Sequence, residues 1–201
     1  MKFKTTIIIL ILFTTSCGFI KINENNYSSL SDRQISKLSH FGSYKIDEIF
    51  MPTDTIKLIE TNATDIIEIL KHYDLVFIHF WKPFCNGESC QSLEYLNQLN
   101  NELDNKNSKI ILISETYDID DIVRIVKSSN FKEPIFIIND LVYGHKIRKA
   151  TLKFQRELVP KSISIYRFGF ENLIFNKNEL IYYDTNLNLN KVEETLKNNR
   201  Q

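Results

Sequence analysis

Residues 75–90, LVFIHFWKPFCNGESC, contain the segment that decides the fold. Its first part, Leu75–Trp81, is an apolar run of β-branched and aromatic residues, interrupted only by His79 and bounded by Asp74 and Pro83. Such a run is typical of a strand that is buried on both faces, at the centre of a sheet covered by helices. The sequence therefore predicts an α/β domain built around this strand.

Strand and helix patterns alternate on both sides of this run. Apolar residues at helical spacing predict helices at Asp65–His72, Cys90–Leu103, Ile119–Ser128, Tyr143–Leu158 and Asn190–Asn198. β-prone runs predict further strands at Ser43–Phe50, Thr55–Glu60, Lys109–Ser114, Pro134–Ile138, Ser162–Arg167, Asn172–Phe175 and Glu179–Asp184. This order predicts a mixed central sheet with helices on both faces, followed by a C-terminal β-hairpin and a helix.

Composition narrows the classes of function. A chain of 201 residues has room for one domain of ordinary size, and its hydrophobic fraction of 43% is enough to bury a core. Lys plus Arg and Asp plus Glu each number 25, so no strong net charge attracts a polyanion. Nucleic acid is therefore not an expected partner.

The N-terminus resembles an export signal. Lys2 and Lys4 precede the apolar run Thr5–Phe13, which is shorter than the roughly 20 residues that a membrane-spanning helix needs. Cys17 follows at once, and the segment resembles a bacterial lipobox, in which the cysteine is lipidated and becomes the new N-terminus. Thr14 stands where the lipobox usually has Leu, and an ordinary cleaved signal with a chance cysteine is the alternative.

This interpretation divides the chain into three parts. Residues 1–17 are a lipoprotein signal peptide, residues 18–42 a polar tether, and residues 43–201 the folded domain. The expected location is periplasmic or extracytoplasmic, with the protein anchored to a bacterial membrane through a lipid on Cys17. Disulfides persist in such a compartment.

Cys85 and Cys90 are the two cysteines that remain in the domain. They lie where the buried strand leads into the next helix, and a helix N-terminus stabilises a thiolate relative to a thiol. In an unbroken helix, residues five apart lie about 140° around the axis and about 7.5 Å along it, too far for a disulfide. A bond between them therefore requires that residues 86–89 are not regular helix. The turn-favouring Asn86-Gly87 and the potential N-cap Ser89 are compatible with this requirement.

The stretch from Phe80 to Cys85, F-W-K-P-F-C, resembles the F-W-A-x-W-C that opens the active site of TlpA-like exported thioredoxins. The resemblance implies a thioredoxin-like fold and a thiol–disulfide oxidoreductase. Cys85 would be the attacking cysteine and Cys90 the resolving one, and no cofactor is needed beyond them. The expected partners are protein thiols or disulfides of the cell envelope. The family has C-x-x-C, whereas here Glu88 stands in the last position of that motif and the spacing is C-x-x-x-x-C.

The resemblance also implies a substrate-binding surface. Trp81 and Phe84 would shield the sulfur of Cys85 while leaving it accessible. Thioredoxins place a cis-proline before the strand that enters the hairpin, and the backbone before it binds the substrate. If Ser162–Arg167 is that strand, Pro160 fits. If the strand is Asn172–Phe175, the position falls near Phe170 or Glu171 and holds no proline.

Three other interpretations remain open. In the first, the cysteine pair forms a structural disulfide in a non-catalytic thioredoxin-fold lipoprotein. In another it belongs to a peroxiredoxin-like peroxidase, although the P-x-x-x-T-x-x-C motif of that class is missing. Copper delivery is disfavoured because the cysteine spacing differs, although His145 is present. No metal-ligand cluster is evident in the sequence, so we expect no metal. His79 is interpreted as a core histidine, and the basic residues of 146–156 as a solvated helix face.

Overall fold

The run Leu75–Trp81 forms strand β3, which is buried along its whole length. The structure is a computed structural model and describes residues 26–84, 92–103, 107–165, 167, 169–184 and 189–199. The side chains of β3 alternate between two cores, as strand geometry requires. Val76, Ile78 and Phe80 enter one cluster, whereas Phe77 and Trp81 enter the other.

Seven strands form one mixed sheet. They are β1 (Leu38–His40), β2 (Leu58–Thr61), β3 (Leu75–Trp81), β4 (Ser108–Ser114), β5 (Ile135–Ile138), β6 (Asn172–Asn176) and β7 (Glu179–Asp184). Their order across the sheet is β1-β2-β5-β4-β3-β6-β7. The pairs β1–β2, β2–β5, β5–β4 and β4–β3 are parallel. Strands β6 and β7 add an antiparallel hairpin beside β3. The predicted α/β class with a mixed sheet is confirmed.

Helices cover both faces of the sheet. Within the described residues they are α1 (Asp32–Ile35), α2 (Ile46–Ile49), α3 (Ala63–His72), α4 (Leu93–Leu103), α5 (Ile119–Ser129), α6 (Asp140–Tyr143), α7 (Ile147–Leu158) and α8 (Leu189–Asn198). Helices α2, α3 and α7 pack on one face, and α4, α5 and α8 pack on the other. The predicted C-terminal hairpin and final helix are present.

Two predicted strands are wrong. Ser43–Phe50 instead contains the end of a 3-10 helix (Phe41–Ser43) and α2, because the Glu48 carboxylate caps the backbone N–H of Lys45 at 3.1 Å. Ser162–Arg167 forms no strand in its described residues, where the backbone N–H of Ile163 closes a turn onto the carbonyl of Pro160 at 2.9 Å. Both edges of β3 are already occupied by β4 and β6.

Two predicted boundaries also differ. Strand β1 comes from the predicted tether and pairs with β2, so the expected boundary at residue 43 does not separate the tether from the sheet. The predicted helix Tyr143–Leu158 is divided at Gly144, whose positive φ of 90° ends α6 before α7 begins. Glycine adopts this conformation without the penalty that a side chain imposes.

The start of the hairpin is fixed by one glutamine. The Gln155 side chain accepts from the backbone N–H of Phe170 and donates to its carbonyl, both at 2.8 Å. Gly169 has a φ of 73°, and a Cβ at this position would lie 2.5 Å from Gln155 Oε1. Only glycine permits this close approach between helix α7 and the chain that leads into β6.

We expect Gly169→Ala to destabilise the protein by about 2 kcal/mol, because the methyl group displaces Gln155 and disfavours the positive φ. Urea unfolding measures the loss. Gly42→Ala is the matched control, since a Cβ added there would meet no atom within 4 Å and its effect should stay within about 0.5 kcal/mol. Equal losses in the two variants would contradict the role of the Gln155 contact.

Candidate functional site

The ends of three neighbouring strands meet at one edge of the sheet. Parallel β3 and β4 end side by side at Trp81 and Ser114, and antiparallel β6 begins there, with Asn172 opposite His79. We call this the carboxyl edge. In parallel α/β sheets ligands bind beyond the carboxyl ends of the strands.

The predicted site residues are distributed around this edge unequally. Cys17, Cys85 and Cys90 lie outside the described residues, as does the predicted N-cap Ser89. Trp81 ends β3 with only 4% of its surface exposed, whereas Phe84 is 52% exposed. Pro160 is exposed just beyond the end of α7. The description resumes at Ser92, directly before α4, where the Ser92 hydroxyl accepts from the backbone N–H of Tyr95 at 3.1 Å.

An ion-paired cluster lies at the carboxyl edge, next to the ends of β3, β4 and β6. Lys82 Nζ lies 3.0 Å from Glu171 Oε1 and 3.3 Å from Glu115 Oε2. The sequence by itself identified neither carboxylate as a partner of Lys82. The positional signal was present in the sequence, because Glu115 directly follows β4 and Glu171 directly precedes β6.

Burial and charge oppose each other in this cluster. Burial raises the pKa of Glu115, although the Lys82 ammonium acts in the opposite direction. Burial alone would lower the pKa of Lys82, but Glu115 and Glu171 outweigh it and the pKa is raised. Lys82 therefore stays protonated and holds two acidic side chains beside the segment that leads to Cys85.

A groove of about 380 Å³ opens next to this cluster. It lies between the segment after β3 and the first turns of α7, and its lining includes Pro83, Phe84, Glu115, Ile147, Arg148 and Thr151. The exposed Phe84 ring and Ile147 supply apolar surface, and Arg148 supplies a cation. The groove thus offers space for a substrate side chain immediately beside the residue before Cys85.

His79 is a buried neutral group beneath the same edge. Its Nδ1 donates to Asn172 Oδ1 at 2.8 Å, and Asn172 Nδ2 donates to Asp184 Oδ1 at 2.9 Å. Tyr182 donates its hydroxyl to the second oxygen of Asp184 at 2.6 Å. Burial lowers the pKa of His79 to about 4. This network agrees with the interpretation of His79 as a hydrogen-bonded core histidine.

Neither a metal centre nor a membrane-spanning helix is found among the described residues. In that part of the chain no three His, Cys, Asp or Glu side chains converge so that they could hold an ion. None of its helices has the length and apolarity needed to cross a bilayer.

Comparison with known proteins assigns the chain to no family. No family model, no curated protein and no solved structure matches it. Its own residues therefore carry the functional interpretation.

We expect Lys82→Met to cost about 1 kcal/mol at pH 7, a figure reduced for the solvent screening of a half-exposed lysine. The reason is that Glu115 loses the cation that compensates its burial. Urea unfolding measures the loss, and adding Glu115→Gln should recover part of it. Lys71→Met is the control, because Lys71 pairs with Glu68 and both side chains are more than half exposed. Additive effects of the Lys82 and Glu115 substitutions would refute this coupling.

We expect the neutral state of His79 to make the fold acid-sensitive. The folded pKa of about 4 lies below the ordinary 6.5, so the unfolded chain binds the extra proton first and stability falls as pH decreases from 6.5 towards 4. At pH 4.5 the loss from this group should be roughly 2–3 kcal/mol. His79→Gln keeps an amide donor for Asn172 and should show a shallower pH dependence in urea unfolding. Parallel pH profiles for the two proteins would show that His79 contributes nothing.

Proposed function

We propose that the chain is a thioredoxin-like thiol–disulfide oxidoreductase of the cell envelope, held at a membrane by a lipid on Cys17. The observation that carries this proposal is the position of Phe84. It is an exposed aromatic residue at the carboxyl edge of the central strand, and the next residue in the sequence is Cys85. In this proposal Cys85 acts on substrates that reach this edge.

The sheet order supports the thioredoxin-like assignment. The sequence β4-β3-β6-β7 places the strand before the cysteines between a parallel neighbour and an antiparallel hairpin. A helix follows the hairpin, as the resemblance of Phe80–Cys85 to TlpA-like thioredoxins implies. Strands β1 and β2, with β5, extend the sheet on the far side of β4.

The proposed reaction is a two-step exchange. The Cys85 thiolate attacks one sulfur of a substrate disulfide, and the other substrate sulfur leaves as a thiolate. The Cys90 thiolate then attacks the Cys85 sulfur and releases the second substrate thiol. The substrate gains two electrons and two protons, and the Cys85/Cys90 pair becomes a disulfide. The same steps in reverse oxidise a substrate dithiol.

One observation favours the second candidate, a non-catalytic binding protein with a structural disulfide. The residues before β6 are Phe170 and Glu171, where the resemblance calls for a proline and a free backbone. Here Gln155 occupies both backbone groups of Phe170. Glu171 donates its N–H to the Asp184 carbonyl and accepts from Phe80 N–H, both at 2.9 Å. A substrate peptide therefore finds no open backbone at this position.

These backbone contacts restrict the enzymatic proposal as well. A substrate cannot be held by strand-like pairing at Phe170 and Glu171, so its recognition would depend on side-chain contacts in the groove beside Phe84. Such recognition predicts slower turnover of insulin than of an envelope protein whose side chain fits this groove. A peroxiredoxin-like peroxidase has no support from the described residues.

We expect the full chain, solubilised in detergent, to catalyse the reduction of insulin disulfides by dithiothreitol. Cys85→Ser should abolish the activity because it removes the attacking sulfur. Cys90→Ser should instead accumulate a mixed disulfide, detectable as a shift on a non-reducing gel. Cys17→Ser is the matched control, since that thiol lies outside the pair and activity should persist.

The two candidates separate in one further measurement. Mass spectrometry of the oxidised protein shows whether Cys85 and Cys90 are linked. A linked pair without turnover on insulin or on envelope proteins supports the structural disulfide, and an unlinked pair under oxidising conditions overturns both.

A further inference from the structure

Helix α6 exposes two apolar side chains. Leu141 is 87% exposed and Val142 is 55% exposed, whereas Asp140 and Tyr143 at the two ends of this single turn are buried. The turn is therefore anchored by its ends and presents its middle to the surroundings. Exposing large apolar side chains forgoes the gain from burying them, which makes this adjacent pair a candidate contact surface when other features accompany it.

A basic stripe runs beside this apolar pair. Lys146, Lys149, Lys153 and Arg156 follow one another at intervals of three and four residues, so they share the outer face of α7, and all four are exposed. Lys153 Nζ donates to the Tyr143 carbonyl at 3.1 Å, which places the stripe next to Val142.

Two carboxylates near the stripe have contacts of their own. Glu157 accepts from the Tyr143 hydroxyl at 2.7 Å. Asp140 is buried and pairs with His145 Nδ1 at 2.7 Å. Four cationic side chains outnumber these two carboxylates, so the stripe is net positive beside an apolar pair, a combination that suits an anionic lipid surface.

The N-terminal chain reaches the domain at this same place. Asn26 forms a β-bridge with Lys146, and the backbone N–H of Tyr27 donates to the His145 carbonyl at 3.2 Å. The Tyr27 ring packs edge-on against Tyr117, and its hydroxyl donates to Glu60. These contacts fix the chain at the start of α7.

The length of chain before this point limits the distance to an anchor. Cys17 precedes Asn26 by nine positions, which span at most about 30 Å when fully extended. A lipid on Cys17 would therefore hold the start of α7 close to the bilayer.

We propose that Leu141, Val142 and the basic stripe form a membrane-contact surface that binds a bilayer with anionic headgroups. The proposal goes beyond the redox function and uses only the lipid on Cys17 from it. The apolar pair enters the headgroup region, and the stripe contacts phosphate groups around it. Ile147 and Arg148 at the start of α7 also line the groove beside Phe84, so this orientation turns the carboxyl edge towards the membrane.

Two tryptophan reporters test the orientation. Val142→Trp places a reporter on the proposed surface, and Met51→Trp places one at the opposite end of the sheet. The two positions are matched because the native Val142 and Met51 are 55% and 56% exposed. Met51 lies there because its carbonyl accepts from Lys57, the residue before β2, at 2.9 Å. The full chain is reconstituted in phosphatidylglycerol vesicles with brominated acyl chains, and both variants retain the buried Trp81 as a common background.

We expect bromine to quench the fluorescence of Val142→Trp at least about twofold more than that of Met51→Trp. The difference should shrink in phosphatidylcholine vesicles and in a Lys149→Glu/Arg156→Glu background. Lys127→Glu/Lys132→Glu reverses two exposed charges at the other end of the sheet and should leave the difference unchanged.

Failure of the surface and failure of the anchor give different results. Equal quenching at positions 142 and 51 in chains that float with vesicles would overturn the surface and leave the anchor standing. Flotation that is unaffected by Cys17→Ser, together with unequal quenching, would support the surface and count against the anchor. A chain that does not float in either form would overturn both.

Discussion

The burial of strand β3 is the constraint on which the rest of the structure depends. Both of its faces are covered by helices and both of its edges are paired, with β4 on one side and β6 on the other. Every backbone group of an interior strand must find a partner when water is excluded. This requirement places the parallel neighbour and the hairpin at the two edges, whereas burial of the side chains places helices on the two faces.

The chemistry of the carboxyl edge follows from that arrangement. Because β3, β4 and β6 share one edge, the polar residues next to their ends are brought together there. Lys82, Glu115 and Glu171 come from three distant parts of the sequence and form one ion-paired cluster. The largely buried Glu115 is tolerated because a cation accompanies it. The cluster supports the segment that continues into Cys85 and gives that edge a defined electrostatic environment.

The two open surfaces near this edge have different physical origins. The groove beside Phe84 exists because the segment after β3 and the first turns of α7 stand apart. The exposed pair Leu141 and Val142 exists because Gly144 interrupts the helical pattern and leaves α6 as a single turn. Both surfaces depend on α7, whose inner face packs on the sheet and whose Gln155 closes the backbone of Phe170.

Local sequence patterns were sufficient for much of this fold. The apolar run Leu75–Trp81 predicted β3 with the bounds that the structure shows, and the hairpin and the final helix followed from turn residues and helical spacing. These elements are decided by residues near one another in the chain. Pairing across the sheet decided the rest. Ser162–Arg167 has β-prone residues but forms no strand in its described residues, and β1 joins the sheet although its composition resembles that of a tether. The partners of Lys82 were likewise beyond sequence reasoning, because a distance of 3.0 Å between residues 82 and 171 is set only when β3 and β6 come together.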